Sequence, residues 1–551
     1  MNALIESINN VFKFVTPVSD FLWDFPTNFE VYKNIPILGS MSLAVILLVG
    51  SGIFFSFKLS FVQVRYFTKG INILTTKKKV ETGISELASF LLSTAMRVGP
   101  GNITGATGAI AIGGPGAIFW MWVSAFFGMA TAFIEGTLAQ IFKEKDKDEF
   151  VGGLPFYGRK LLNNIPAVGV FLSLLYILYA ICCLPAQGFN VVTSIGNIAE
   201  ILNDNHIAQD SSFYYLVSLI IIVITAFIVF GGIKKVTKVT DRLVPLMSIV
   251  YFVTVLALII FNFDKIPYFF ISVFSEAFKP RAMFGGAFGI ALAQGVKRGL
   301  MSNEAGQGTI TMSASAADSA HPVEQGFVSS LGVFLDTIVI CSLTGFVVVM
   351  GAAYDNPYLQ EIWNASDKLA KFNISVGALT IPELQGLVTI ILTLCFALFA
   401  YTCLLGMISF SEISLARISR NDSAKNVLRL FMLAVAAFGI LCNIAGLSLD
   451  NMWAISDLGN ILICYFNIPL LYIGLKYVNK SLKHYEARVK VPYSGKVIGY
   501  SKLPYWDSPK RIVSSVSTSV KKVAVKKSSK VVKKSAKKTV KKINAKSRKK
   551  K

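Results

Sequence analysis

Two interruptions of otherwise apolar sequence carry the residues best suited to chemistry. The first reads Arg97-Val98-Gly99-Pro100-Gly101-Asn102. Glycines at 99 and 101 leave the backbone open, and Pro100 removes one N–H. A helix resuming near Asn102 points its first amides, with the positive end of its dipole, at whatever lies in front of it, which suits a carboxylate. The carbonyls that end the preceding helix, at Arg97, Val98 and Gly99, suit a small hard cation such as Na⁺. One break can therefore hold both groups. Arg97 itself pairs with an acid, helps hold a ligand, or sits hydrated at a water-filled mouth, because a bare charge inside a membrane is costly.

The second interruption runs from Gly295-Val296-Lys297-Arg298-Gly299 to Ser302-Asn303-Glu304-Ala305-Gly306. The spacing predicts unwound backbone through both stretches. Three charges within eight residues suggest that Lys297 or Arg298 pairs with Glu304, as a structural bridge or as a gate. Gln187 and Asn190 follow Pro185 in another apolar run and offer uncharged donors and acceptors, either to a ligand or between helices. Asp336, in Phe334-Leu335-Asp336-Thr337, is an intramembrane acid open to a cation, proton or structural role. Asp457 lies near Asn460, and Asp450 and Glu412 read as interfacial.

The elements that must position these residues follow from composition. Of 551 residues, 54% are apolar and 15% charged, against about 25% charged in a soluble domain. The chain reads as an all-α membrane protein. Eleven segments reach the length of about 20 residues needed to span: 38–57, 83–112, 116–142, 170–199, 213–232, 241–262, 284–317, 326–351, 381–410, 428–446 and 450–475. The two interrupted segments open the first and second sets of five once the first segment is set aside as accessory. Five is odd, so the second set enters from the opposite side, giving a five-plus-five inverted repeat with two discontinuous helices. The divisions are 1–37, an extracytoplasmic segment; 38–57, the accessory helix; 83–262 and 284–475, the repeats; and 476–551, a cytoplasmic tail.

The loops after the first, third, fifth and ninth segments are rich in Lys and Arg, which places them inside; loop 318–325 is the exception on that face. The N-terminus is then outside and the C-terminus cytoplasmic, in a cell (inner) membrane. Net charge is +23, but 15 Lys and 2 Arg lie in 511–551 with no acid. That tail is too polar to fold alone. It suits an anionic lipid surface better than nucleic acid. No basic start followed by an apolar core marks a cleavable signal. The seven cysteines lie in apolar runs without CxxC spacing, which argues against a metal site or disulfide framework. No enzyme-like cluster, P-loop or TVGYG filter is present.

The stretch Ser93–Gln140, STAMRVGPGNITGATGAIAIGGPGAIFWMWVSAFFGMATAFIEGTLAQ, resembles the alanine or glycine:cation symporter family, within the amino acid-polyamine-cation superfamily. So do GVKRGLMSNEAGQG (Gly295–Gly308), HPVEQG (His321–Gly326) and GVFLDT (Gly332–Thr337). The resemblance covers roughly 35–480. It implies the leucine-transporter-like fold and cation-driven uptake of small amino acids. It also implies that Gly99, Gly101 and Asn102, with Gly295, Arg298, Gly299, Ser302, Asn303, Glu304, Ala305 and Gly306, line the central substrate and ion region; Gln187, Asn190 and Gln294 are expected to face the substrate beside them. The ninth segment contributes to a sodium site in that fold, which points to Tyr401 and Thr402. The chain departs from the family pattern at Pro100, where many members have Thr, around Gln187, and in the ninth segment. The expected function is Na⁺-driven import of alanine or glycine by alternating access, with no cofactor beyond the coupling ion. The alternatives are proton coupling through Asp336 or Glu304, and a non-transporting sensor or scaffold.

Overall fold

Apolar runs become long helices because, in hydrocarbon, a helix satisfies its backbone within its own segment. The computed structural model describes residues 14–35, 38–76, 80, 82–278, 287–447, 449–487 and 492–508. Residues 511–551, with the Lys-rich run, lie outside them. The chain forms two compact units, Met1–Val478 and Asn479–Lys551.

In the first unit a short helix α1 (14–24) precedes α2 (Leu43–Lys58). The first half then comprises α3 (Glu86–Arg97) and α4 (Thr104–Gly113), which are the two parts of one broken helix, followed by α5 (Gly116–Ile141), α6 (Pro166–Asn203), α7 (Ser212–Val229) and α8 (Gly232–Phe261). The second half repeats the order. Its broken helix is α9 (Ala287–Asn303) and α10 (Thr311–Ala316), followed by α11 (Pro322–Gly351), α12 (Pro382–Leu415), α13 (Asp422–Ile444) and α14 (Leu449–Glu486). The unbroken members of both halves are long and apolar enough to cross a membrane. This is the leucine-transporter-like architecture.

The two broken helices run against each other. Ile84, just before α3, forms a parallel bridge with Ala317, just after α10. At the far end, a Cβ on Gly113 of α4 would lie 3.1 Å from Ala291 and 3.3 Å from Gln294 of α9. Around them α6 crosses α12 and α13. The crossing at α13 depends on missing side chains: a Cβ on Gly188 would lie 2.6 Å from the Ala436 carbonyl, and one on Gly439 would strike the Pro185 carbonyl.

A two-stranded hairpin, β1 (Glu144–Asp146) and β2 (Glu149–Val151), follows α5. Its charges meet the turn between α12 and α13: Lys147 pairs with Asp422 at 2.9 Å, Lys425 with Asp146 at 3.4 Å, and Arg420 with Glu144. Glu412 pairs with Arg429 at 2.7 Å. Asp450, expected beside it at the interface, has no described side chain. In the second unit, the Asp507 carboxylate accepts the N–H groups of Gly495 and Leu503, and Trp506 is buried.

Gly439→Val should be poorly tolerated, because α13 must move off Pro185. Overpacking of this kind costs about 1–3 kcal/mol. The check is thermal unfolding in detergent, where a drop of several degrees is expected for Gly439→Val and little change for Gly386→Ala, whose added Cβ meets nothing closer than 3.8 Å.

Candidate substrate and ion site

The first break begins where α3 ends at Arg97. Val98 and Gly99 leave helical geometry, Pro100–Asn102 form one 3₁₀ turn, and α4 starts at Thr104. Asn102 folds back so that its Oδ1 accepts the Gly99 N–H at 2.8 Å. The Pro100 carbonyl accepts the Thr104 hydroxyl at 2.9 Å. Gly101 lies against Met301 and Ser302, its would-be Cβ 3.6 Å from each, so the two breaks touch.

The second break is displaced from the expected one. Gly295–Gly299 lie within α9, and the backbone unwinds from Glu304 to Ile310. Glu304, Gly306 and Gly308 take left-handed φ values of 56°, 100° and 77°, a region open to glycine and costly for glutamate. The reason lies in packing. Gly295 and Gly299 are needed for a close approach to α5, where added Cβ atoms would meet Ala117, Trp120 and Ser124 at 2.6–2.7 Å. These glycines therefore face α5 rather than unwound backbone.

Glu135 closes the second break. Its Oε1 accepts the N–H groups of Gly306 at 3.1 Å and Gly308 at 2.8 Å, and the Asn467 amide of α14 at 2.7 Å. Asp336 ties the breaks together. Its Oδ1 accepts Asn102 Nδ2 at 2.6 Å, and its Oδ2 accepts Ser302 and Thr337 hydroxyls at 2.8 and 2.7 Å. Arg97 is buried and donates to the carbonyls of Asn303 at 2.9 Å and Ser329 at 3.2 Å. Glu304 accepts from Tyr179 at 3.5 Å and from Thr309.

Between the breaks lies a small cavity of about 30 Å³, room for a water or two rather than for an amino acid without some opening. Arg97, Gly99, Gly101, Gln187 and Glu304 all line it, with Trp453 of α14. Gln187 Oε1 and the Trp453 indole N–H are buried there without a partner among the described residues. Buried polar atoms are seldom left so, and a ligand with a donor and an acceptor would satisfy both.

The remaining residues lie elsewhere. Asn102 and Asp336 form the knot beside the cavity. Asn190 is buried outside its lining, and half-buried Gln294 also lies outside it, beside Gly113 and ten residues before Glu304, or about 15 Å of helix. Lys297 and Arg298 do not pair with Glu304. Both reach Asp457 of α14, at 2.9 and 3.1 Å, because Glu304 lies about 9–10 Å further along the axis, past the end of α9 where the chain takes a left-handed φ. Tyr401 packs among residues of α6, α7 and α13, and Thr402 faces Met247 of α8. Cys403 is the residue of α12 that meets the first break, its thiol 3.6 Å from the Met96 carbonyl.

Glu135 and Trp453 escaped the sequence reading. Glu135 carried a usable signal, since it is the sole charged residue of the 26-residue α5 and intramembrane acids merit attention by default. Trp453 carried none, because an aromatic in an apolar run is ordinary core.

A family model described as the sodium:alanine symporter family matches residues 29–497. Similar proteins include GlnT of Bacillus subtilis, named as a probable sodium/glutamine symporter, at 33% identity over 81% of this chain and 88% of that one. The sodium/alanine symporter AgcS of Methanococcus maripaludis is 32% identical over 75% of this chain and 87% of its own. A sodium/proton-dependent alanine carrier of Bacillus sp. strain PS3 is 27% identical over 80% and 97%. Among solved structures, MhsT in complex with L-phenylalanine aligns with a TM-score of 0.52 at 14% identity, covering 80% of this chain and 99% of its own.

Glu135→Ala strands three buried donors, each costing about 1–3 kcal/mol when unsatisfied, whereas Glu135→Gln keeps one acceptor. Thermal stability should fall in the order wild type, Glu135→Gln, Glu135→Ala, with the alanine variant recovered poorly from membranes. Equal stability of the two variants would remove Glu135 from this role.

Proposed function

We propose that this chain, which belongs to the sodium:alanine symporter family, imports a small neutral amino acid, alanine or glycine, together with Na⁺. The observation that carries this reading is the cavity between two unwound breaks, with the partnerless Gln187 Oε1 and Trp453 indole N–H in its wall. The substrate carboxylate would face the start of α4, and the ion would sit at the carbonyls ending α3. The relatives named above for alanine and for glutamine support an amino-acid substrate. In this reading the cell membrane holds the chain with α1 outside and the hairpin and Lys-rich tail inside, the tail against anionic lipid. The motion is alternating access, with Na⁺ favouring the outward-open state because a ligand shifts only the equilibrium for which it has differential affinity.

A second reading, proton coupling, is favoured by Glu304 and Asp336. Both are buried beside the cavity and accept from neutral hydroxyl and amide donors.

Uptake of labelled alanine and glycine into proteoliposomes separates the two. An inward Na⁺ gradient alone should drive accumulation above the no-gradient level, and a proton gradient alone should not. Accumulation under a proton gradient alone would move the coupling role to Asp336 or Glu304. Glutamine should compete weakly; strong competition by glutamine and none by alanine would change the substrate.

A further inference from the structure

Helix α1 lies before the residues that the family model matches, and the transport reading makes no use of it. Its Trp23 is 4% exposed. The indole N–H donates to the Asp457 carbonyl of α14 at 3.0 Å. The ring lies 5.2 Å from Lys297 Nζ of α9. Trp23 also packs with Ala44 of α2, Leu300 of α9, and Ile461 and Cys464 of α14. Next to it, Tyr465 donates to the Leu22 carbonyl at 2.8 Å, and Asp20 Oδ1 stands 4.0 Å from Lys297 Nζ.

The place of this contact decides its meaning. Met301 and Glu304 of α9 and Trp453, Ser456 and Asn460 of α14 line the cavity. Helices α9 and α14 both start at the same end of the bundle, since each opens or closes the second half after an even number of crossings. Lys297 and Arg298 lie one turn before Met301. On α9 the two cations thus stand between the cavity and that end, while Asp457 lies among the cavity-lining residues of α14, so the ion lock pins the two helices together at the cavity's edge. For the cavity to open there, α9 and α14 must part, and Asp457 must lose both cations. Trp23 holds both sides of that seam, the ammonium of Lys297 by cation–π attraction and the backbone of Asp457 by a hydrogen bond.

We propose that Trp23 is a positioning residue for a gate, and that α1 is a strap that keeps the Lys297–Asp457–Arg298 lock closed at the edge of the cavity. Placing this gate on the outer side rests on the transport reading above; the strap itself does not. Removal of the strap shifts the population toward the state open at this end. Substrate and ion then enter more readily from that side, and the return step slows.

Cys183 and Cys403 line the cavity and report its opening. The test is labelling of the full-length chain in detergent with a small polar thiol reagent, compared with a Cys183→Ala/Cys403→Ala control. Trp23→Ala should label these two thiols about tenfold faster, the scale of one desolvated cation–π contact. Trp23→Phe keeps a ring over Lys297 and loses the N–H, so it should fall between, and it serves if the alanine variant does not fold. In proteoliposomes Trp23→Ala should lower both the half-saturating Na⁺ concentration and the maximal rate, a split that simple destabilisation would not give. Wild-type labelling rates in both variants would overturn the strap even with normal uptake. Faster labelling in a protein that moves no amino acid would sustain the strap and remove the transport reading.

Discussion

Two helices come apart at membrane depth, and the rest of the structure depends on satisfying the backbone they expose. In hydrocarbon no water replaces a lost intrahelical bond, and an orphaned group costs about 1–3 kcal/mol. The protein meets this with buried polar side chains from neighbouring helices. Glu135 takes two amides of the second break. Asn102 takes an amide of its own break and hands its remaining donors to Asp336, which also holds Ser302 from the other. Arg97 covers carbonyls of α9 and α11. The small residues follow from the same need, because these side chains reach their targets only where helices approach closely, as at Gly332 beside Arg97.

That solution leaves a charge pattern. The guanidinium of Arg97 interacts with the carboxylates of Glu304, Asp336 and Glu135, three acids for one base. Arg97 hydrogen-bonds backbone carbonyls, while the carboxylates accept mainly from neutral groups. Lys297 and Arg298 redress it only in part, because Asp457 engages both and leaves a single positive charge. A cation held between the breaks would lessen the imbalance, which gives the proposed coupling ion an electrostatic reason to bind there beyond the local carbonyls. The groups that keep the backbone unwound also set the field that a cation would meet.

The fold was largely legible because hydrocarbon thickness and backbone satisfaction act on runs of sequence. Eleven apolar segments, their five-plus-five grouping and the break at Gly99–Asn102 all follow from length and from Gly and Pro. The second break was misplaced because glycine serves two ends. At 295 and 299 it permits helix contact with α5, and at 306 and 308 it permits positive φ; spacing alone does not separate these. Partners were less legible still. Lys297 and Arg298 were read as bonding along the chain to Glu304, yet the acid they find is more than 150 residues away. Tyr401 and Thr402 have the chemistry of ligands, but the phase of α12 turns Cys403 to the break instead.

Ion pairs hold both ends of the bundle, and their burial bears on how it could alternate. At the hairpin end Lys147 and Asp422 are 66% and 70% exposed, and such a pair contributes at most about 1 kcal/mol, but Lys425–Asp146 and Arg429–Glu412 are largely buried. At the other end the Asp457 pairs are nearly buried, and removing one partner from a buried pair costs about 3–5 kcal/mol. The Asp457 end stays closed unless something offsets the cost of parting those charges. Inverting a two-state population from 1:99 to 99:1 takes about 5.5 kcal/mol of differential binding. A cation and an amino acid bound between the breaks could supply energy of that order only if opening at the Asp457 end did not strip all three charges at once. Asp20, 59% exposed and 4.0 Å from Lys297, lies where it can keep that ammonium partnered as Asp457 withdraws, and water entering the opened seam can hydrate the rest. The acid at the solvent edge thus lowers the cost of the motion that the buried acid resists.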